Sequence, residues 1–221
     1  MSEINWIYGT SEYLLYKDSK TWEEAKSAAK KLGGKLIEIE TEDENRNLFE
    51  NVNKYISPEE YDLTIGTDGG GAAYIWLGGS DKNTTSTQNS DIWNWQWDQS
   101  SIEISKDRLE WGKGWGGEEP DDSRSSQHRL ALGLENWSRS NPGKYGYAGQ
   151  WNDINSENNL YYVVEIESKI NKETNPKNLS IIELNDSEIS ISEGKIDPTK
   201  SIKEEIEDIK NKKLYFDGLI F

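Results

Sequence analysis

The sequence predicts an α+β protein, two helices flanking small antiparallel sheets with a long irregular loop region, followed by a C-terminal extension. Three observations carry this reading. Two capped helical patterns sit between short segments of strand-like alternation. From Gly78 to about Arg129 that periodicity gives way to Trp, Gly, Asn, Asp and Ser, and a loop so long inside a compact domain is usually functional. All ten tryptophans lie between Trp6 and Trp151, and the composition changes after Glu167.

Trp6-Ile-Tyr8 and Tyr13-Leu-Leu-Tyr16 alternate as two short strands. Thr21 opens the first helix and Glu24 completes a capping box. Trp22, Ala25, Ala28, Ala29 and Leu32 supply its inward face, and Gly33-Gly34 stops it. Leu36-Ile-Glu-Ile39 reads as a strand. Thr41 with Glu44 repeats the capping signal, Leu48, Phe49 and Val52 mark the inward side of a second helix, and Pro58 lies beyond its end. Gly69-Gly-Gly71 lacks the Lys-Ser/Thr of a phosphate cradle and reads as a flexible turn. Tyr74-Ile-Trp-Leu77, Leu130-Ala-Leu132 and Tyr161-Tyr-Val-Val-Glu-Ile166 are further strands, with Trp151 between the last two. Trp93, Trp95 and Trp97 alternate as an inward-facing strand would place them.

At roughly 150 residues per domain, 221 residues hold one generous domain or one with an appendage. We place a domain at residues 1–167, a linker at 168–178 and an extension at 179–221. In the extension, Leu179–Leu184 and Ile189–Ile191 suggest a hairpin, and Ser201-x-x-Glu204 opens a helix with Ile202, Ile206 and Ile209 on one face. Of the net charge of −16, nine Lys against eleven Asp and Glu from Ser168 onward leave −14 for residues 1–167. That acidity excludes nucleic acid as the expected partner, because a phosphate-backbone binder needs a basic footprint. No run of about 18 apolar residues predicts a membrane span, and Met1–Thr10 shows no basic-then-apolar leader pattern. With no cysteine, disulfide scaffolds, thiolate zinc sites and cysteine nucleophiles are excluded. His128, the sole histidine, has no nucleophile in register, which argues against a hydrolase triad.

The chemistry gathers in two acidic clusters, Glu118-Glu-Pro-Asp-Asp122 and Asn152-Asp153. Carboxylates and amide carbonyls select hard cations, and Ca2+ tolerates the irregular oxygen shell that loops provide, whereas Mg2+ demands a tighter octahedron. A cis bond at Glu119–Pro120 would turn Glu119 and Asp121 toward one centre, and we expect that bond to be cis. Taken alone, each cluster is also an ordinary acidic turn.

The order of segments carries more. Thr21-Trp-x-Glu-Ala25, Gly33-Gly-Lys-Leu-Ile-Glu-Ile39, Glu42-x-Glu-Asn45, Ile75-Trp-Leu-Gly-Gly79, Gly114-Trp-Gly-Gly-Glu-Glu-Pro-Asp121 and Gly149-Gln-Trp-Asn-Asp-Ile154 follow one another before the closing strand. In that order, residues 6–167 resemble a C-type lectin-like domain. The resemblance implies that Glu119, Asp121, Asn152 and Asp153 are ligands of the family's principal calcium, where sugar also binds. Gln127 falls where the family usually has a further Glu, and its carbonyl can still coordinate. Asp122 and Asp81 match positions of an auxiliary calcium site, whose other carboxylate is not found in Lys82–Asp91. Two vicinal sugar hydroxyls would complete the calcium shell and hydrogen-bond the same side chains.

In the family, Glu-Pro-Asn resembles mannose-type binders and Gln-Pro-Asp galactose-type binders. The Glu-Pro-Asp of this chain gives no clean sugar assignment, since Asp replaces a donor amide by a pure acceptor. Trp76 and Trp151 match buried framework positions. Trp111, Trp115, Trp137, Tyr145 and Tyr147 lie nearer the loops, where one could stack on a sugar face, and Asn136–Gln150 reads as a lengthened hairpin loop beside the ligands. The expected function is thus calcium-dependent carbohydrate binding without enzymatic activity. The partner would be a glycan or glycoconjugate at an extracellular or cell-surface location. The alternative keeps the fold but makes it a protein-recognition or adhesion domain, with calcium structural or absent. A third reading is an enzyme using paired carboxylates such as Glu119 and Asp153. Animal members usually carry disulfides, so the absence of cysteine suggests a bacterial or phage-like origin.

Overall fold

The aromatic alternation at the N-terminus becomes a hairpin, β1 (Ile4–Tyr8) antiparallel to β2 (Ser11–Lys20). Helix α1 (Trp22–Lys31) follows, and its Thr21 and Glu24 form the reciprocal capping box that the sequence predicts. After β3 (Lys35–Leu36) comes α2 (Glu42–Tyr55). Thr41 caps α2, but the Glu44 carboxylate reaches the backbone N–H of Glu40 and the Tyr13 hydroxyl instead of closing a box. A 3-10 helix (Pro58–Leu63) leads to β4 (Tyr74–Asp81). Then come β5 (Trp95–Trp97), β6 (Arg129–Gly133), β7 (Trp151–Ile154) and β8 (Leu160–Glu167). The computed structural model describes residues 4–81, 94–114, 118–123, 126–167, 181–185 and 188–192.

These strands form one sheet in the order β1-β2-β8-β4-β6-β7, with β3 on β8 and β5 on β4. It is mixed: the β4–β8 pair is parallel and the others are antiparallel. The closing strand β8 thus joins the N-terminal hairpin to the loop-bearing strands, and its parallel pairing with β4 is the one departure from the antiparallel sheets expected. Alternation along the strands sends side chains to two cores. Tyr13, Leu15, Ile75, Leu77, Tyr161 and Val163 pack with Leu48 and Val52 of α2 and with Trp95, Trp97, Trp111 and Trp151. Leu14, Tyr74, Trp76, Tyr162 and Val164 pack with Trp22, Ala25 and Ala29 of α1. With both faces covered, β4 is buried from Tyr74 to Ser80. At about 1.5–3 kcal/mol for each fully buried large side chain, this two-sided burial is the main support of a domain that has no disulfide.

Three local expectations change. Leu32 is the C-cap of α1 and exposed, because the turn at Gly33 carries it off the inward face. The strand expected over Leu36–Ile39 keeps only Lys35–Leu36 in register with β8. Ile37 and Ile39 are still fully buried, so it is the ladder that ends and not the packing. The glycine turn at Gly69–Gly71 is closed by Gly66 N–H donating to Ala72 O and by Gly69 and Gly71 donating back to Gly66 O.

The chain divides into two compact units, 1–168 and 169–221. In the second, β9 (Ile181–Asn185) and β10 (Glu188–Ser192) pair antiparallel, as the hairpin reading expects. The 168–178 linker, the Ser201 helix, Trp93, Trp115 and the Lys82–Asp91 stretch lie outside the described residues.

Candidate functional site

Asn152 and Asp153, which alone read as a turn, lie in the middle of β7 and pair with Ala131 and Leu130 of β6. Strand pairing overrides their local preference. The residue before them fixes the strand to the core. Trp151 is fully buried; its indole N–H donates to Asn45 Oδ1 (2.8 Å), and Arg108 lies over its ring at 4.8 Å. Arg108 also donates to Glu110 and to the carbonyls of Ile39 and Glu40. The Trp151 backbone N–H donates to Glu110 O, and Trp151 O accepts the Gly112 N–H.

Opposite β7 runs the segment 118–123, with a cis Glu119–Pro120 bond, as the sequence reading expects. Asp153 ties the two together. Its Oδ1 accepts the backbone N–H of Asp121 (3.2 Å) and its Oδ2 that of Asp122 (2.8 Å). Glu119, Asp121 and Asp153 each offer one oxygen, and these oxygens lie within 4.8 Å of one another. Among the described residues this is the one such group of His, Cys, Asp or Glu. Asn152 is buried beside it and donates its amide to Tyr74 Oη (3.1 Å), which in turn donates to Gly69 O (2.7 Å).

The electrostatics are unfavourable as they stand. Glu119 is 4 % exposed, and Asp153 is fully buried. Burial raises the Glu119 carboxyl far above its ordinary range, and the charges of Asp153 and Asp121 push it further. Asp153 is raised by burial as well, an effect offset in part by the Asp122 N–H and by its hydrogen bond with Glu119. Glu119 Oε2 has no hydrogen-bond partner. A buried acidic group left unpaired is costly and marks functional ground. The donor set of carboxylates and one amide fits a hard cation.

The other residues named from the sequence fall differently. Gln127 is buried at the edge of the group, but its Oε1 accepts the Ser123 N–H (2.7 Å) and its amide donates to Asp68 O. Asp122, at φ 45°, accepts the Gln127 N–H at its Oδ1 (3.1 Å). Asp81 lies 3.4 Å from His128 Nδ1 and does not join the three carboxylates. Of the aromatic side chains near the loops, Trp111 and Trp137 are buried, so neither ring face is open for stacking, whereas Tyr147 is exposed.

A cavity of about 400 Å3 opens over Glu119, Asp121 and Asn152. One wall is the Asp68–Gly70 turn and the other the loop around Ser138, Asn141, Lys144 and Tyr145. The glycine turn was the least conspicuous of these in the sequence. Asp68 anchors it, accepting from Asn155 N–H and from the Asn158 amide. A Cβ at Gly69 would meet Ile154, Tyr74 and Asn152 at 2.8–3.1 Å, closer than side chains ordinarily approach.

No family model matches the chain, and no curated protein does. Solved structures do. A structure of human lithostathine superposes with a TM-score of 0.51 at 18 % identity, covering 76 % of this chain and 90 % of that one. The carbohydrate-recognition domain of the mouse scavenger receptor C-type lectin gives 0.48 at 18 % identity over 74 % of this chain and 94 % of its own. At 18 % identity the likeness to lithostathine speaks for fold alone, and the fold agrees with the element order, the two flanking helices and the loop region described above. Residues 4–167 therefore form a domain of C-type lectin-like fold.

Proposed function

We propose that this domain binds Ca2+ through Glu119, Asp121, Asn152 and Asp153 and recognises a glycan at that ion. The observation that carries the reading is the convergence of three carboxylates, two of them buried, with Glu119 and Asp121 lining a cavity and Glu119 Oε2 unpaired. When bound, the ion would supply the positive charge that this group lacks and coordination positions for two vicinal sugar hydroxyls. Asp153 holds the 119–122 segment against β7 through two backbone N–H groups, which sets the spacing of the ligands. Tyr74 engages the Asn152 amide nitrogen and so directs that side chain. Gln127 and Asp122 each accept a backbone N–H of their own turn and Asp81 lies beside His128, and the proposed ligand set does not depend on them.

The cavity walls are polar and suit hydroxyl recognition, with Asp68, Ser138, Ser140, Asn141 and Lys144 beside the ligands. A glycan or glycoconjugate outside the cell is the partner this chemistry fits, since free calcium is abundant there. A glycan array probed in millimolar Ca2+ and again in EDTA tests the proposal. Binding that appears with calcium and disappears with chelator is expected. Glycan binding that persists in EDTA rules the calcium-bridged mode out, and calcium-dependent binding only to proteins, unaffected by monosaccharides, favours a protein-recognition domain.

A further inference from the structure

Trp137 differs from four other buried tryptophans. The indole N–H groups of Trp22, Trp76, Trp111 and Trp151 each donate to an oxygen, those of Leu77, Lys20, Ser105 and Asn45. Trp137 Nε1 is buried with no acceptor, in a residue only 1 % exposed that lines the cavity. Buried donors are almost always paired, so an orphan asks for a reason.

The ring is tightly placed. A Cβ on Gly112 would lie 2.5 Å from Trp137 Cζ2, one on Gly133 would lie 2.6 Å from Cζ3, and one on Gly146 would overlap the ring. Three glycines, remote from one another in sequence, thus wall one slot. Trp137 and Gly146 exchange backbone hydrogen bonds (3.0 and 3.2 Å), and Tyr74 meets the indole edge-on with centroids 5.5 Å apart. A side chain held on every side cannot turn its N–H elsewhere.

Glu119 also lies against Gly112, its Cγ 3.2 Å from the same added Cβ. Glu119 Oε2 is a buried acceptor without a donor. The unmatched donor and the unmatched acceptor are therefore neighbours.

We propose that Trp137 is a positioning residue of the cation site, its indole N–H donating to a carboxylate oxygen of Glu119 and so fixing which oxygen Glu119 turns toward the ion. The inference rests on the reading of this site as a calcium site. Ligating carboxylates are commonly held by such outer partners, whose loss lowers metal affinity by roughly 10- to 100-fold.

The test uses the full chain, labelled with 15N and titrated with CaCl2, with calorimetry on the same samples. Trp137→Phe identifies the Trp137 indole resonance by its loss. That resonance is expected to move on saturation with calcium, and Trp137→Phe to weaken calcium binding by roughly 10- to 100-fold. Trp76→Phe removes a buried indole of the same layer, one bonded to Lys20 O, and is expected to lower the melting temperature while leaving calcium affinity unchanged. If Trp137→Phe fails to fold, benzothienylalanine at position 137 keeps the shape and replaces the N–H by sulfur. Calcium binding with an unmoved Trp137 resonance, or a sulfur analogue that binds calcium as tightly as the natural chain, overturns the inference alone. Absence of any calcium binding by the natural chain overturns the reading of the site and the inference with it.

Discussion

Glu119 sits where burial and two neighbouring carboxylates act on it together, and it is the residue at which fold and ligand compete. Replacing it by Gln removes the charge that burial opposes and also removes a cation ligand. In chelator, Glu119→Gln is expected to be more stable than the natural chain by about 1 kcal/mol, a rise of roughly 2–4 °C in melting temperature. It should also lose any response to calcium, and differential scanning calorimetry with and without the ion reads both effects. The pH dependence follows from the raised carboxyls of Glu119 and Asp153. A raised group contributes stability below its unfolded value, about pH 4 for these carboxyls, and that contribution is lost as pH rises through the folded value. The ion-free chain should thus weaken above about pH 4 on account of this pair, while calcium binding strengthens with pH because it displaces protons. Calorimetric titration near pH 7 in two buffers of different ionisation enthalpy should show net proton release; equal heats in the two buffers would contradict it.

Elements hold these residues in place, and β7 is the decisive one. Its Trp151 is clamped by Arg108 and Asn45, so Asn152 and Asp153 follow from a rigid anchor. Arg108→Ala would leave the Glu110 carboxylate, 6 % exposed, without its partner and free two carbonyls. A loss of about 3–5 kcal/mol is expected, measured by urea denaturation; a loss under about 1 kcal/mol would make the clamp incidental. Much at this scale was legible. The Thr21 and Thr41 caps, the inward faces of both helices apart from Leu32, and the acidic segments depend on near neighbours in sequence. What escaped depends on distant ones. Asn152-Asp153 has the composition of a turn and becomes strand only because β6 supplies the ladder. The slot around Trp137 is built from Gly112, Gly133 and Gly146, which no window of sequence brings together. Position alone also does not reveal that Gln127 and Asp122, read as ligands, accept hydrogen bonds from the backbone of their own turn.

At the scale of the whole molecule, the chain has no disulfide to restrain its loops and concentrates its acidity in the tryptophan-rich unit. Packing on both faces of one mixed sheet accounts for the scaffold. The loop region is where a bound cation would add what covalent links supply elsewhere, because an ion that binds only the folded form stabilises it by mass action, about 2.7 kcal/mol at a hundredfold excess over Kd. Saturating calcium is accordingly expected to raise the melting temperature of the natural chain by roughly 5–10 °C, and an unchanged melting curve would speak against a cation in the loops. The most direct measurement is X-ray diffraction from crystals grown in calcium chloride. The account predicts one ion bonded at about 2.3–2.6 Å to oxygens of Glu119, Asp121, Asn152 and Asp153. Well-ordered side chains at those four positions with no ion between them, or calcium bound only elsewhere, would contradict it.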